Sequence, residues 1–115
     1  MSNIPSVVYN KGYTAKLAFK SVGKGWWPLI NVALRLKPEH VKIVQVKEKY
    51  GTLRIYFEPY DPSYNVAIDT LESLSSITCE VCGKKGRLDP SYYWMLTLCP
   101  ECKQKRKEKK EQNGK

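Results

Sequence analysis

Apolar residues recur with helical spacing in three parts of the chain and with strand spacing in a fourth. Between 26 and 36 they fall every three or four residues, which predicts an amphipathic helix with Pro28 in its first turn. The same spacing predicts a helix over 65–76, and a short helix is expected within 12–24. The chain therefore begins with helical segments and returns to one before its cysteine-rich end.

Two runs between 41 and 60 alternate apolar and polar residues and flank Tyr50-Gly51, which predicts a β-hairpin. The apolar face would combine residues of both strands, namely Val44, Val46, Leu53, Ile55 and Phe57. If the turn preserves register, the opposite face carries polar and aromatic residues, namely Gln45, Lys47, Lys49, Arg54 and Tyr56.

Four cysteines form two Cys-x-x-Cys pairs, Cys79 with Cys82 and Cys99 with Cys102, separated by sixteen residues. This spacing is typical of a structural zinc site, because tetrahedral zinc takes two thiolates from each tight turn. Four thiolates close the coordination shell, so we expect the Zn²⁺ to stabilise the fold and not to catalyse a reaction. Disulfides or free thiols are the alternative, and residues 92–96 are expected to form a strand packed on the body.

Charge is concentrated at one end of the chain. The 115 residues carry a net charge of +9, and residues 103–115 contribute +5 of it, with seven basic and two acidic residues. A basic balance favours polyanionic partners such as nucleic acid, nucleotides or an anionic membrane. The tail is either a solvated helix extension, a disordered end, or a segment that attracts nucleic acid without sequence preference.

These features predict one small α+β domain with two to three helices, a β-hairpin within a small antiparallel sheet, and a C-terminal zinc ribbon. Its segments would be an α+β body over 1–76, a zinc ribbon over 77–102 packed on that body, and a basic tail over 103–115. The sequence has neither a signal-peptide pattern nor an apolar stretch of about 20 residues. We therefore expect a cytoplasmic protein with reduced thiols and no membrane partner.

The polar face of the hairpin is the candidate ligand site. Arg54 can make a bidentate contact with a phosphate, Lys47 and Lys49 add charge, and Tyr50 or Tyr56 can stack on a base. The alternative is an ordinary solvent-exposed face whose charges only keep the protein soluble. Both interpretations require this face to be accessible.

The adjacent Trp26 and Trp27 also have two interpretations, as core anchors or as part of a ligand site or oligomer interface. His40, the only histidine, is expected in a turn. Neither a nucleophile elbow, a P-loop, a zinc-protease motif nor a dinucleotide-binding pattern occurs in the sequence. We therefore expect a non-catalytic protein.

The segments GKGWWPLI, VQVKEKYGTLRIYF and ITCEVCGKKGRL, with the closing LCPEC, resemble a family of small tailed-phage and prophage zinc-ribbon proteins. The resemblance extends from about Gly23 to Cys102, where many relatives carry His in place of Cys102. It implies a phage-type accessory protein in the host cytoplasm. It also gives weight to the residues that coincide with the shared motif, namely Lys47, Glu48, Lys49, Gly51, Leu53, Arg54 and Tyr56. Glu48 would hold the lysines in place or contact a ligand hydroxyl or base amine.

Two functions follow from these expectations. The first is non-catalytic binding of an anionic, nucleotide-like ligand; in a phage this could be a sponge, often oligomeric, that sequesters a nucleotide immune signal of the host. The second is an interaction module whose ribbon and basic tail bind nucleic acid or a host protein such as a polymerase, nuclease or ribosome.

Overall fold

The computed structural model describes residues 8–10 and 13–113, with side chains over 16–109. Within these residues the chain forms four α-helices and three two-stranded antiparallel sheets. In chain order these are β1 (Val8–Asn10), β2 (Tyr13–Thr14), α1 (Ala15–Lys20), α2 (Trp27–Leu36), β3 (Lys42–Lys49), β4 (Thr52–Glu58), α3 (Pro62–Ser75), β5 (Arg87–Asp89), β6 (Leu96–Leu98) and α4 (Pro100–Asn113). The predicted α+β class with a zinc-ribbon-like C-terminal module is confirmed.

The helices follow the predicted apolar spacing, with differences at their starts. α2 matches its predicted range, whereas α3 begins earlier because the Asp61 carboxylate accepts the Tyr64 N–H at 2.9 Å. An N-terminal cap of this kind satisfies a backbone donor that lacks a partner inside the helix. α1 is the short helix expected within 12–24, of which Gly12 lies outside the described residues.

The hairpin of β3 and β4 confirms the predicted strands, but one residue of the predicted apolar face, Val44, was assigned wrongly. Ile43 pairs with Phe57 and Gln45 with Tyr56, so Val44 is the extra residue of a β-bulge. A bulge breaks the strict alternation of side chains along its strand. Ile43 is therefore fully buried in the place predicted for Val44, which is only half-buried.

Side chains of α3 cover the outer edge of β4. The Ser75 hydroxyl accepts the Leu53 N–H at 2.8 Å, and the Glu72 carboxylate accepts the Ile55 N–H at 2.9 Å. Exposed edge strands otherwise offer such groups to another chain. Helix α3 thereby closes this edge of the hairpin.

The main core lies between the helices and the apolar face of the hairpin. Its buried members are Ala18, Phe19, Trp26, Ile30, Ala33, Leu34, Val41, Ile43, Val46, Leu53, Ile55, Tyr64, Ile68 and Leu71. A second, smaller cluster contains Leu98 with Cys79 and Cys99. The C-terminal module therefore has little apolar core of its own.

The two tryptophans belong to the body. Trp26 is fully buried, and its indole N–H donates to the Thr78 carbonyl at 2.8 Å. Trp27 is half-buried, and its indole N–H donates to the Phe19 carbonyl at 2.8 Å. The core interpretation is therefore correct for Trp26, and its assignment to a ligand site or interface is wrong because its ring is inaccessible.

The segment around Gly23 and Gly25 joins the body to the C-terminal module. The Gly25 N–H donates to the Glu80 carbonyl at 2.9 Å. A Cβ atom on Gly25 would lie 1.9 Å from the Cys79 carbonyl oxygen, and one on Gly23 would lie 2.1 Å from that of Glu80. Two glycines are therefore required here because backbone meets backbone without room for a side chain.

In the C-terminal region the strand expected over 92–96 is largely absent from the described residues, whereas the basic tail is helical, as one of its interpretations expected. β6 begins only at Leu96, while residues 92–94 form bends, and Tyr93 is fully exposed. The basic segment continues the helix that starts at Pro100, which is the solvated-extension interpretation. In the described part of the chain, every helix is too short or too polar to cross a lipid bilayer.

Candidate functional site

The four cysteines lie together at the C-terminal end of the fold. Their sulfur atoms all lie within 4.8 Å of one another, and the Cys82 and Cys99 sulfurs are 3.5 Å apart. Tetrahedral zinc with bonds of about 2.3 Å would separate its ligand sulfurs by about 3.8 Å. The geometry and the donor set therefore fit a four-coordinate metal ion.

Local backbone structure positions each cysteine pair. After the first pair the Gly83 N–H donates to the Cys79 carbonyl at 2.8 Å, and Gly83 adopts a φ of +86° that favours glycine. The second pair lies at the start of α4, with Cys99 directly before the helix and Cys102 in its first turn, and the Lys103 N–H donates to the Cys99 carbonyl at 2.8 Å. The short β5–β6 sheet connects the two turns and brings them face to face.

Electrostatics also favour a cation between these sulfurs. Burial, together with the neighbouring thiols, raises the pKa of Cys102 to about 12. Burial opposes ionisation of Cys79 as well, but hydrogen bonds from the backbone of Cys82, Cys99 and Val81 outweigh it and lower its pKa to about 7. Four adjacent thiolates require a compensating positive charge, which a bound metal ion supplies.

The polar face of the hairpin has the predicted composition. Lys47 lies opposite Arg54, and the Lys47 ammonium is 5.4 Å from the centre of the Tyr56 ring. Lys49 lies two residues further along the same strand, at the turn. Among the described residues, none of these three cations forms an ion pair with a carboxylate. Their charges are available to an external anion.

The turn of the hairpin contacts the C-terminal module. Tyr50 and Gly51 both have positive φ, +53° and +77°, as in the type I′ turn that suits a tight hairpin. The Gly51 N–H donates to the Glu48 carboxylate at 2.7 Å, and the Gly51 carbonyl accepts the Thr97 hydroxyl at 2.5 Å. These bonds fix the turn against β6 and leave the Tyr50 ring 66% exposed.

A cleft lies between this turn and the loop that precedes β6. Its volume is about 380 Å³, within the roughly 300–1,000 Å³ of small-molecule sites. We call it the tip cleft; its lining residues are Glu48, Lys49, Tyr50, Tyr93, Trp94 and Met95. The rings of Tyr93 and Trp94 are 100% and 63% exposed. Three exposed aromatic residues therefore line the same cleft as one lysine.

No family model, curated protein or solved structure matches the chain. The candidate site therefore rests on the geometry of this structure, and the resemblance to tailed-phage proteins stays a prediction.

The structure brings together only part of the predicted ligand site. Glu48, Lys49 and Tyr50 line the tip cleft, whereas Arg54 and Tyr56 lie further along the polar face. Lys47 lies opposite Arg54 and outside the lining of the tip cleft, and Trp27 packs edge-on against Phe19 at a ring distance of 5.4 Å. The sequence interpretation omitted Tyr93, Trp94 and Met95 as ligand contacts. Their only signal was an aromatic run inside a metal module, where a buried strand was expected.

Helix α4 holds the aromatic loop in place through one side chain. The Arg106 guanidinium lies 3.3 Å from the Asp89 carboxylate and 4.6 Å from the Tyr92 ring centre, and it donates to the Trp94 carbonyl. Burial alone would raise the pKa of Asp89, but hydrogen bonds from Ser91 and the charge of Arg106 hold it below its ordinary value. Asp89 is therefore an anion that anchors Arg106.

We expect Arg106→Ala to loosen this loop and destabilise the protein by roughly 1–3 kcal/mol, because it leaves a buried carboxylate without its partner. Thermal denaturation would show the loss, and acrylamide would quench tryptophan fluorescence more strongly because Trp94 becomes more mobile. Lys105→Ala, an exposed neighbour on the same helix, is the matched control. Equal melting temperatures and equal quenching for the two variants would contradict the assignment.

Proposed function

We propose that this protein is a non-catalytic, phage-type accessory protein that binds an anionic, nucleotide-like ligand in the tip cleft. One observation carries the proposal: the accessible rings of Tyr50, Tyr93 and Trp94 surround the same cleft as Lys49. A nucleobase stacks on aromatic faces irrespective of its identity, with roughly 1–3 kcal/mol per base. The ammonium group supplies the attraction for a phosphate.

The polar residues of the cleft support the same ligand class. Lys49 is exposed, and its ammonium lies 5.8 Å from the Tyr50 ring centre, so charge and stacking surface lie side by side. Glu48 fixes the turn through the Gly51 N–H and places a carboxylate at the cleft wall, where it can accept a base amine or a ligand hydroxyl. Lys47 and Arg54 extend the positive charge along the hairpin.

In this proposal the metal is Zn²⁺ and its role is structural. A compact set of four thiolates suits zinc in tetrahedral coordination and leaves no position for a substrate. The module then serves as the support that holds Tyr93 and Trp94 opposite the hairpin turn. In the host cytoplasm such a binder would act as an anti-defence sponge, holding an immune nucleotide without converting it.

The proposal is tested by calorimetric titration of the purified protein with a panel of mononucleotides, cyclic dinucleotides and short oligonucleotides at low salt. Trp94→Ala and Lys49→Ala are each expected to weaken the best ligand about tenfold, through lost stacking and lost charge. Lys42→Ala removes an exposed lysine at the far end of the same strand and should leave the affinity unchanged. Binding that survives Trp94→Ala would disprove the assigned site.

The exposed lysines of α4 favour a second candidate function, an interaction module for nucleic acid or a host protein. Its exposed lysines are Lys103, Lys105, Lys107 and Lys109. Truncation of the tail is an unsuitable test because it also removes Arg106, which holds the loop of the tip cleft. Replacing the four lysines by glutamine keeps Arg106; loss of all binding in that variant, with Trp94→Ala silent, would favour the second function.

A further inference from the structure

A second site with exposed aromatic rings lies at the other end of the polar face of the hairpin. It is a groove of about 310 Å³ between β4 and α3 that contains Arg54, Tyr56 and Tyr60, and we call it the Tyr60 groove. The rings of Tyr56 and Tyr60 are 41% and 71% exposed, and Arg54 is exposed. The groove therefore repeats the combination found in the tip cleft, namely stacking surfaces beside a cation.

The register of the hairpin places residues of both sites on its polar face, Lys49 of the tip cleft and Arg54 and Tyr56 of the Tyr60 groove. Gln45 lies opposite Tyr56, Lys47 opposite Arg54, and Lys49 opposite Thr52 at the turn. Residues directly opposite each other in an antiparallel pair project to the same side. From Gln45 to Lys49 the strand rises about 13 Å, at about 3.3 Å per residue. Of the cations on this face, Lys49 thus lines the tip cleft, Arg54 lines the Tyr60 groove, and Lys47 lies opposite Arg54 on the neighbouring strand.

The far wall of the Tyr60 groove is acidic, which defines how a ligand would lie. Asp69 and Glu72 line it from α3. Each is already engaged within the protein, Asp69 with the Asn65 amide at 3.3 Å and Glu72 with the Ile55 N–H at 2.9 Å. Carboxylates repel phosphates but accept the exocyclic amino groups of bases. A base would therefore face α3, and phosphates would lie on the strand side.

We infer that the ligand is a short single strand of nucleic acid that spans both sites, and not a mononucleotide. One base occupies the tip cleft, another occupies the Tyr60 groove, and the phosphates between them lie along Lys47, Lys49 and Arg54. A distance of about 13 Å corresponds to about four steps between successive nucleotides at the 3.4 Å rise of a stacked strand, and to fewer steps in an extended one, so that an extended strand of about four nucleotides can span it. The inference rests on the proposed function, because the tip cleft supplies one of its two sites.

The test is the dependence of affinity on ligand length. Deoxycytidine monophosphate and oligodeoxycytidylates of two to six nucleotides, whose bases carry an exocyclic amino group, are titrated into the full-length, metal-bound protein at one fixed low salt concentration. We expect the dissociation constant to fall at least tenfold between one and four nucleotides and then to level off. The four-nucleotide titration is repeated at several salt concentrations. The logarithm of the association constant should fall linearly with the logarithm of the salt concentration, with a slope of about −0.7 per neutralised phosphate.

Two variants locate the second site. Tyr60→Ala should weaken the four-nucleotide ligand about tenfold and leave deoxycytidine monophosphate unaffected, whereas Trp94→Ala should weaken both. Tyr60→Phe keeps the ring and should bind as the wild type does. Val66→Ala changes an exposed residue of α3 that does not line the groove and is the matched control.

The possible outcomes separate the two proposals. Equal affinity for one and four nucleotides, with Tyr60→Ala silent and Trp94→Ala weakening both, overturns this inference and retains the proposed function. If affinity depends on ligand length but neither Tyr60→Ala nor Trp94→Ala changes it, both this inference and the site of the proposed function are overturned. Failure to bind any nucleotide or oligonucleotide overturns the proposed function itself.

Discussion

Cys82→Ser is expected to unfold the C-terminal module and to drive the protein towards aggregation. A structural zinc site contributes roughly 10–16 kcal/mol to folding, as much as the roughly 5–15 kcal/mol by which a whole domain is stable. Here the buried apolar cluster of the module contains only Leu98 beside Cys79 and Cys99. Few apolar contacts would remain to hold the module once a ligand to the metal is lost.

Native mass spectrometry and thermal denaturation measure this effect. Wild-type protein should carry one zinc per chain, and treatment with a chelator should reproduce the behaviour of Cys82→Ser. Val81→Ala is the matched control, because Val81 lies between the cysteines of the first pair and is 55% exposed. A soluble Cys82→Ser variant that melts at the wild-type temperature would refute a structural role for the metal.

Gly25→Ala is expected to destabilise the protein by roughly 3 kcal/mol or more. The added Cβ would lie 1.9 Å from the Cys79 carbonyl oxygen and 2.7 Å from the Gly83 nitrogen. Both are backbone atoms of the first cysteine turn, so no flexible side chain can move aside. Any retreat of the segment would also pull the Trp26 indole away from the Thr78 carbonyl.

Urea denaturation of Gly25→Ala should therefore show a lower midpoint, together with weaker retention of the metal. Lys24→Ala is the matched control, because it places alanine at the adjacent exposed position. Lys24 contacts only the Trp27 ring at 6.0 Å among the interactions described, and its loss should change stability by about 0.5 kcal/mol or less. Identical urea midpoints for the two variants would show that the backbone around Gly25 can shift to accept a Cβ atom without loss of stability.

The elements with strong periodicity could be predicted from sequence, whereas a local irregularity could not. The apolar spacing of α2 and α3 spans several turns, so an error of a few residues at an end does not hide the helix. The bulge at Val44 adds a single residue and leaves no sequence signal. Lys47 and Lys49 were nevertheless placed correctly, because the bulge lies at the other end of the strand and the turn sets their register.

The four cysteines could be identified from the sequence, whereas the cleft residue Trp94 could not, and the difference has a physical reason. The spacing of the cysteines reflects a local requirement, since each tight turn must supply two sulfurs to one ion. The position of Trp94 depends instead on Arg106, twelve residues later in the chain, and on the buried Asp89. Interactions of this tertiary kind decide that the aromatic loop faces solvent, and no local pattern encodes them.

The position of the second cysteine pair has a consequence for the basic helix. Starting a helix is unfavourable because several residues are ordered for the first hydrogen bond, and isolated helices shorter than about 12–15 residues are marginal in water. α4 has 14 residues and hardly any apolar side chains. Its first turn includes Cys102, and the Lys103 N–H of that turn donates to the carbonyl of Cys99. A metal ion coordinated by Cys99 and Cys102 would therefore provide a nucleation site for helix growth. The lysines of the tail would then lie on a semi-rigid helix with fixed spacing, and their orientation would depend on the metal.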